Sequence, residues 1–256
     1  MGGVAKIPST LDSLPSDRDR LFLDSEGEAG TFRFDEAVAR VFPDMLRRSI
    51  PGYSALLHLI GVLAGQKVRS GTHVYDLGCS LGAVTLAIRH ALGARDAHLV
   101  ALDNSEAMVE RCREIMSADS GLCPVEVVQG DITELSLSPS SLVVMNFTLQ
   151  FAPPEERTRI LRTISDSLVP GGVLVLSEKI CEPVETKERF ATELHDAFRE
   201  SNGYTQMELS RKRKALEAVL VPETIEAHEE RLRGVGLDPH PWFRTLNFIS
   251  WVASKK

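Results

Sequence analysis

Three carboxylates stand where short apolar runs end: Asp76 in Val74-Tyr75-Asp76-Leu77, Asp103 after Ala101-Leu102, and Asp131 after Gly130. The first belongs to Asp76-Leu77-Gly78-Cys79-Ser80-Leu81-Gly82, a D-x-G-x-S-x-G spacing. Gly78 permits a turn that a side chain would obstruct. Gly82 is expected to let a following helix pack closely on the strand. A dinucleotide site wants a three-glycine turn to admit a pyrophosphate. A turn with Ser80 in the middle beside Asp76 suits a ligand without phosphates and with an amino-acid end. Asp103 follows Asp76 by 27 residues, where an acid can accept both hydroxyls of a ribose. Helix capping is the competing role for it. Asp131-Ile132 offers a carboxylate for an adenine amino group and an apolar residue for its ring; taken alone, Asp131 is more often a turn residue. Asn146 closes a fourth apolar run and faces the same crevice, with a helix-capping or loop role as its alternative. Together these positions favour S-adenosylmethionine (SAM) over NAD.

Such residues need a sheet to bring them together. From position 73 the chain alternates strand, turn and helix: strands at 73–77, 97–102, 125–129, 141–147 and 173–177, with helices at 82–92, after Ser105, and at 154–168. Short apolar strands alternating with amphipathic helices mean a parallel sheet covered on both faces. Before it, 34–48 reads as helix interrupted at Pro43, and 55–64 is apolar at helical spacing. Pro170-Gly171-Gly172 is expected to stop the helix before the fifth strand. Residues 183–220 read as a helical insertion of two helices separated by Asn202-Gly203. A further helix at 223–233 and two strands around 239–243 and 246–253 complete the chain. Residues 1–30, rich in Ser, Asp, Gly and Pro, read as a flexible N-terminal arm. Residues 31–256 are expected to form one domain.

Composition narrows the partners. The 256 residues carry a formal net charge of −7, which argues against gripping a nucleic-acid backbone. The four cysteines, Cys79, Cys112, Cys123 and Cys181, form no C-x-x-C pair, so neither a disulfide framework nor a metal site is expected. No run approaches the ~20 apolar residues of a membrane span, and Met1–Pro15 lacks a signal peptide's apolar core. A cytoplasmic setting is the expectation.

One basic residue stands out. Leu209, Leu216 and Leu220 differ by seven and eleven residues and so share one helical face, and Arg213 falls among them. An arginine among leucines stays charged and needs an anion. That anion is a protein carboxylate or a substrate carboxylate, and geometry alone leaves the two equal.

The segments Phe34-Asp35-Glu36, Val41-Phe42-Pro43-Asp44-Met45, Ile50-Pro51-Gly52-Tyr53-Ser54, Tyr75 to Gly82, Asp103-Asn104-Ser105, Asn146-Phe147-Thr148-Leu149-Gln150-Phe151, Leu176-Ser177-Glu178-Lys179 and Asn202-Gly203-Tyr204 resemble the carboxy-S-adenosyl-L-methionine synthase family. The resemblance spans about 31 to 253. It implies a Rossmann-like class I SAM-methyltransferase fold, with a mostly parallel seven-stranded sheet. It further implies that the SAM methyl group is carboxylated from prephenate, releasing phenylpyruvate. The carboxy-SAM so made would pass to a separate tRNA uridine carboxymethyltransferase. A homodimer without metal is implied too. Residue by residue, Gly78, Cys79 and Ser80 would line the cofactor turn. Asp103 and Asn104 would hold the ribose side, Asp131 and Ile132 the adenine, and Asn146 would sit near the sulfonium. Tyr53 would close over the ligand, and Arg213 would meet the new carboxylate; these two are the expected catalytic residues. Whether Arg213 acts within its own subunit or across a dimer is open. An ordinary small-molecule methyltransferase and a non-catalytic SAM-binding module remain as rivals that share the cofactor site.

Overall fold

The computed structural model describes residues 14, 16–23, 32–217 and 219–255. Helix α1 (Glu36–Ser49) is capped by Asp35, whose carboxylate accepts from the Val38 amide. Helix α2 (Tyr53–Lys67) follows a turn at Pro51-Gly52. Then come β1 (His73–Leu77), α3 (Ala83–Leu92), β2 (His98–Asp103), α4 (Glu106–Ala118), β3 (Val125–Gln129), β4 (Ser140–Asn146), α5 (Arg157–Ser167) and β5 (Leu168–Lys179). The insertion is α6 (Glu185–Ser201) and α7 (Gln206–Glu217). Helix α8 (Ile225–Gly234), β6 (Leu237–Thr245) and β7 (Phe248–Lys255) end the described chain.

The seven strands form one sheet in the order β3-β2-β1-β4-β5-β7-β6. The first five are parallel, and β7 lies antiparallel between β5 and β6. Strand alternation sorts the core onto the two faces. Val74, Leu99, Leu142 and Val173 pack with the α1–α4 side. Tyr75, Leu77, Val143 and Leu174 pack with α5, α8 and Trp251. The strand order reverses between β1 and β4, which opens a crevice at their carboxyl ends.

Three local expectations change. Helix α1 continues through Pro43, because its neighbours take up the groups that the proline leaves unpaired. The Asp17 amide donates to the Arg40 carbonyl at 3.1 Å, and the Asp44 amide donates to Ser16 Oγ at 3.2 Å. Those partners lie in the segment expected to be a flexible arm. Instead Leu14 and Phe22 are buried, and Asp19 is only 1% exposed. The rest of 1–30 lies outside the described residues. Finally, Pro170-Gly171-Gly172 falls within β5: the ladder pairs Ser140 with Leu168 and then Leu142 with Val173, so residues 169–172 bulge outward.

Candidate active site

The crevice holds a cavity of about 600 Å³ over the carboxyl ends of the strands, roofed by α1, α2 and the insertion. The turn after β1 builds its floor. Gly78 takes φ 79°, and a Cβ there would lie 2.3 Å from Thr148 Oγ1, so only glycine fits the turn as it stands. The amides of Gly78 and Cys79 both donate to the Leu102 carbonyl, at 2.7 and 3.0 Å, tying the turn to β2. Ser80 sits at φ 48°, an uncommon conformation for a side-chain-bearing residue. Its amide donates to Asp103 Oδ2 at 2.9 Å, which holds it there. Gly82 permits close packing as expected, but against α4: a Cβ would lie 2.6 Å from Met116 Cε and 2.9 Å from Cys112 Sγ.

The three acids line the end of the cavity over β1, β2 and β3. Asp76 is buried and accepts from the Thr85 hydroxyl at 2.6 Å. Burial, with Asp103 nearby, pushes its carboxyl up to about 7. One oxygen of Asp103 accepts from the Ser105 amide at 3.0 Å and the other from the Ser80 amide at 2.9 Å, and the residue lines the cavity. Burial raises its pKa. Asp131 caps the short turn Ile132–Glu134 through the Thr133 amide and hydroxyl, both at 2.7 Å. These donors, with the Asn104 side chain, hold it below the usual carboxylate range. Asn104 and Ile132 line the same end. Cys79 lines it too, but hydrogen bonding to Cys112 and burial raise its thiol, so it stays protonated.

Asn146 stands mid-cavity at the end of β4. Its Nδ2 donates to the Tyr53 hydroxyl at 3.4 Å, and its buried Oδ1 has no hydrogen-bond partner. A buried acceptor left without a partner is costly unless a ligand engages it. Tyr53 opens α2 rather than lying in a loop, and is buried. The next residue, Phe147, takes φ 63° and stacks at an angle on Tyr53, with centroids 6.1 Å apart. The two acids over β1 and β2, the glycine floor and the Asn146 acceptor fit a nucleoside ligand that carries positive charge.

Arg213 is not part of this cavity. Its side chain is 57% exposed and pairs with Asp196. Helix α7 ends at Glu217, so Leu220 is not on it, and the helix buries Glu208, Leu209, Lys212 and Ala215 instead. The inward cation is therefore Lys212. It is 5% exposed, lies 3.7 Å from Asp19 and donates to Ser49 Oγ at 3.1 Å. Burial, opposed by Asp19, brings its pKa down to about 8.

The sequence reading also missed Lys179, His195 and Arg199, all of which line the cavity. Ala191, His195 and Arg199 recur every fourth residue on the buried face of α6. Polar residues on a helix's inward stripe are the signal that was available. Burial pushes His195 down to about 3, so the ring is neutral and its Nε2–H donates to the Ser49 carbonyl at 2.7 Å. Among the described residues no group of three or more His, Cys, Asp or Glu could hold a metal ion.

Residues 74–172 match the model of a methyltransferase domain family. The solved structures of the mitomycin 7-O-methyltransferase MmcR and of an O-methyltransferase family 2 protein from Planctomyces limnophilus share the fold. The first is 15% identical, with a TM-score of 0.58 over 86% of this chain and 57% of that one. The second is 16% identical, with a TM-score of 0.59 over 86% of this chain and 62% of that one. Curated relatives are far more similar. The carboxy-S-adenosyl-L-methionine synthase of Marinobacter nauticus is 49% identical over 93% of this chain and 95% of its own length. That of Stutzerimonas stutzeri is 47% identical over 93% and 98%. With identity this high over nearly the whole chain, the Rossmann-like fold and the SAM-type crevice have one family context: the chain belongs to the carboxy-S-adenosyl-L-methionine synthase family.

Proposed function

We propose that this protein makes carboxy-SAM from SAM and prephenate, releasing phenylpyruvate and water. The observation that carries the reading is the near-full-length similarity to relatives named for that product. The cavity supports it. Asp103 with Asn104 would receive the ribose, Asp131 with Ile132 the adenine, and Asn146 Oδ1 the positive charge near the sulfonium.

The chemistry balances without an added oxidant or reductant. Prephenate dianion gives phenylpyruvate, carbon dioxide and hydroxide as its ring becomes aromatic. The sulfonium acidifies the methyl group, hydroxide takes one of its protons to give water, and the methyl carbon takes up the carbon dioxide. The protein's part is to hold the two substrates together and exclude bulk water. Tyr53 and Phe147 wall the reacting end. Burial raises the Tyr53 phenol, so it acts as a neutral hydrogen-bonding group.

Arg213 keeps its expected role toward the new carboxylate only as a residue of a neighbouring copy, since in its own chain it lies outside the cavity. The reading therefore includes a homodimer. It also includes a cytoplasmic protein whose product goes to a separate tRNA uridine carboxymethyltransferase; no described helix is long and apolar enough to cross a membrane.

The test is to denature the purified protein, weigh the released ligand, and then assay turnover with SAM and prephenate. A ligand of SAM plus one carbon dioxide, with prephenate-dependent formation of the same mass, is expected. Methyl transfer or binding without turnover would replace this reading with one of the two rivals.

A further inference from the structure

The cavity is segregated by charge along the sheet. Its carboxylates, Asp76, Asp103 and Asp131, lie over β1, β2 and the end of β3. Its fixed cations, Lys179, Arg199 and Lys212, lie on β5, α6 and α7. Asn146 on β4 stands between the two groups, level with Ser177 of β5, and Lys179 is two residues further out. A cationic nucleoside laid over β1 to β4 thus places its sulfonium near Asn146 and leaves the cationic end beyond it.

That end has unused donors. Arg199 is 8% exposed, and its buried Nε has no hydrogen-bond partner. Among the described residues Lys179 Nζ makes no hydrogen bond or ion pair. Burial and the nearby Arg199 lower its pKa. The acids around the three cations are engaged already. Asp196 is shared by Arg199 and Arg213. Asp19 accepts from the Tyr204 hydroxyl and faces Lys212. Glu188 accepts from the Glu182 amide at 2.7 Å. Cations held together in a buried wall with a free guanidinium donor are costly until an anion arrives. Phe147 and Phe248, edge to face with centroids 5.8 Å apart, supply the adjoining apolar wall for a carbocycle.

We propose that Lys179, Arg199 and Lys212 form the carboxylate subsite for the second substrate, holding the carboxylate it retains while the other is transferred beside Asn146. This rests on the proposed function, which makes that substrate a cyclic dicarboxylate.

Removal of Lys179, whose ammonium supports no other residue, tests it cleanly. In Lys179→Met, KM for prephenate should rise roughly 10- to 100-fold, the worth of a hydrogen bond to a charged group, with kcat within about threefold. The inhibition constant of phenylpyruvate, which keeps only the retained carboxylate, should rise in parallel. SAM affinity by calorimetry should not move. Lys179→Arg should recover most of the loss, and Arg199→Gln should shift KM in the same direction. Wild-type turnover with an unshifted KM in both Lys179→Met and Arg199→Gln overturns the subsite alone. A KM shift matched by an equal loss of SAM affinity overturns it too, since the cations then serve the nucleoside substrate. No prephenate turnover by the wild type overturns the functional reading and the subsite with it.

Discussion

Asp76 is placed where its charge state governs stability and, on the proposed function, the affinity for SAM. Its pKa of about 7 in the folded, ligand-free protein lies well above the unfolded value near 3.9. The folded state therefore holds the proton more tightly, and this group's contribution to stability falls as pH rises from about 4 to 7. Glu178, buried beside Arg157 and pushed up to about 8, acts in the same direction. Thermal midpoints of the ligand-free protein should decline between pH 5 and 7, and Asp76→Asn should flatten part of that decline. A cationic ligand favours the ionised carboxylate, so SAM affinity should climb through pH 7 in the wild type. A titration by calorimetry at pH 6 and 8 checks this; the same climb in Asp76→Asn would remove Asp76 from the site. Gly78 makes a second residue-scale case. Alanine there meets both a positive φ and Thr148, so Gly78→Ala should weaken SAM binding by roughly tenfold or more while leaving the protein folded. Calorimetry beside a melting curve separates the two effects.

Among the elements, the docked segment 16–23 and α7 stabilise one another. Asp19 is the joint: its amide donates to Asp44 at 2.8 Å, its carbonyl accepts from Arg48 at 3.0 Å, and its carboxylate takes the Tyr204 hydroxyl and faces Lys212. Asp19→Ala would leave Lys212 buried without its counter-ion. The expected loss is about 3 kcal/mol, measured by denaturant unfolding. In the same variant the Lys212 pKa should fall below its present value of about 8, because the attraction that raises it is gone. This joint was invisible in the sequence, because Asp19 and Lys212 are 193 residues apart and the segment's composition reads as an arm. By contrast the strands and the acidic end of the cavity were legible. Each acid there follows its own apolar run, so strand, turn and cavity wall are local to a few residues. The cationic end joins Lys179 at the end of β5 to two helices folding back, and Arg199 and Lys212 declare themselves only through the face each helix buries. One residue of helix is 100°, enough to exchange Lys212 for Arg213. The helical face that drew attention to Arg213 included Leu220, whereas α7 stops at Glu217; its role toward a substrate carboxylate came from the family resemblance alone.

At the scale of the whole molecule, a single chain leaves its two basic groups in different places. Lys179, Arg199 and Lys212 point into the cavity, while Arg213 faces solvent with Asp196. The same insertion exposes Phe190 on α6 and Met207 on α7, apolar surface that a second copy would cover. If Arg213 serves a neighbour's cavity, each working site needs residues of two chains, and the two contributions are separable. Arg213→Ala leaves a chain with an intact nucleoside site and no arginine to lend. Asp103→Ala leaves one that lends its arginine but has lost its ribose acceptor. Each alone should be nearly inactive. When equal amounts are unfolded and refolded together, half of the dimers are mixed and each holds one complete site. Activity should then return to about one quarter of the wild-type level. Recovery near zero, with mixed dimers demonstrated by native mass spectrometry, would place Arg213 in service of its own chain and require α7 to turn inward on binding.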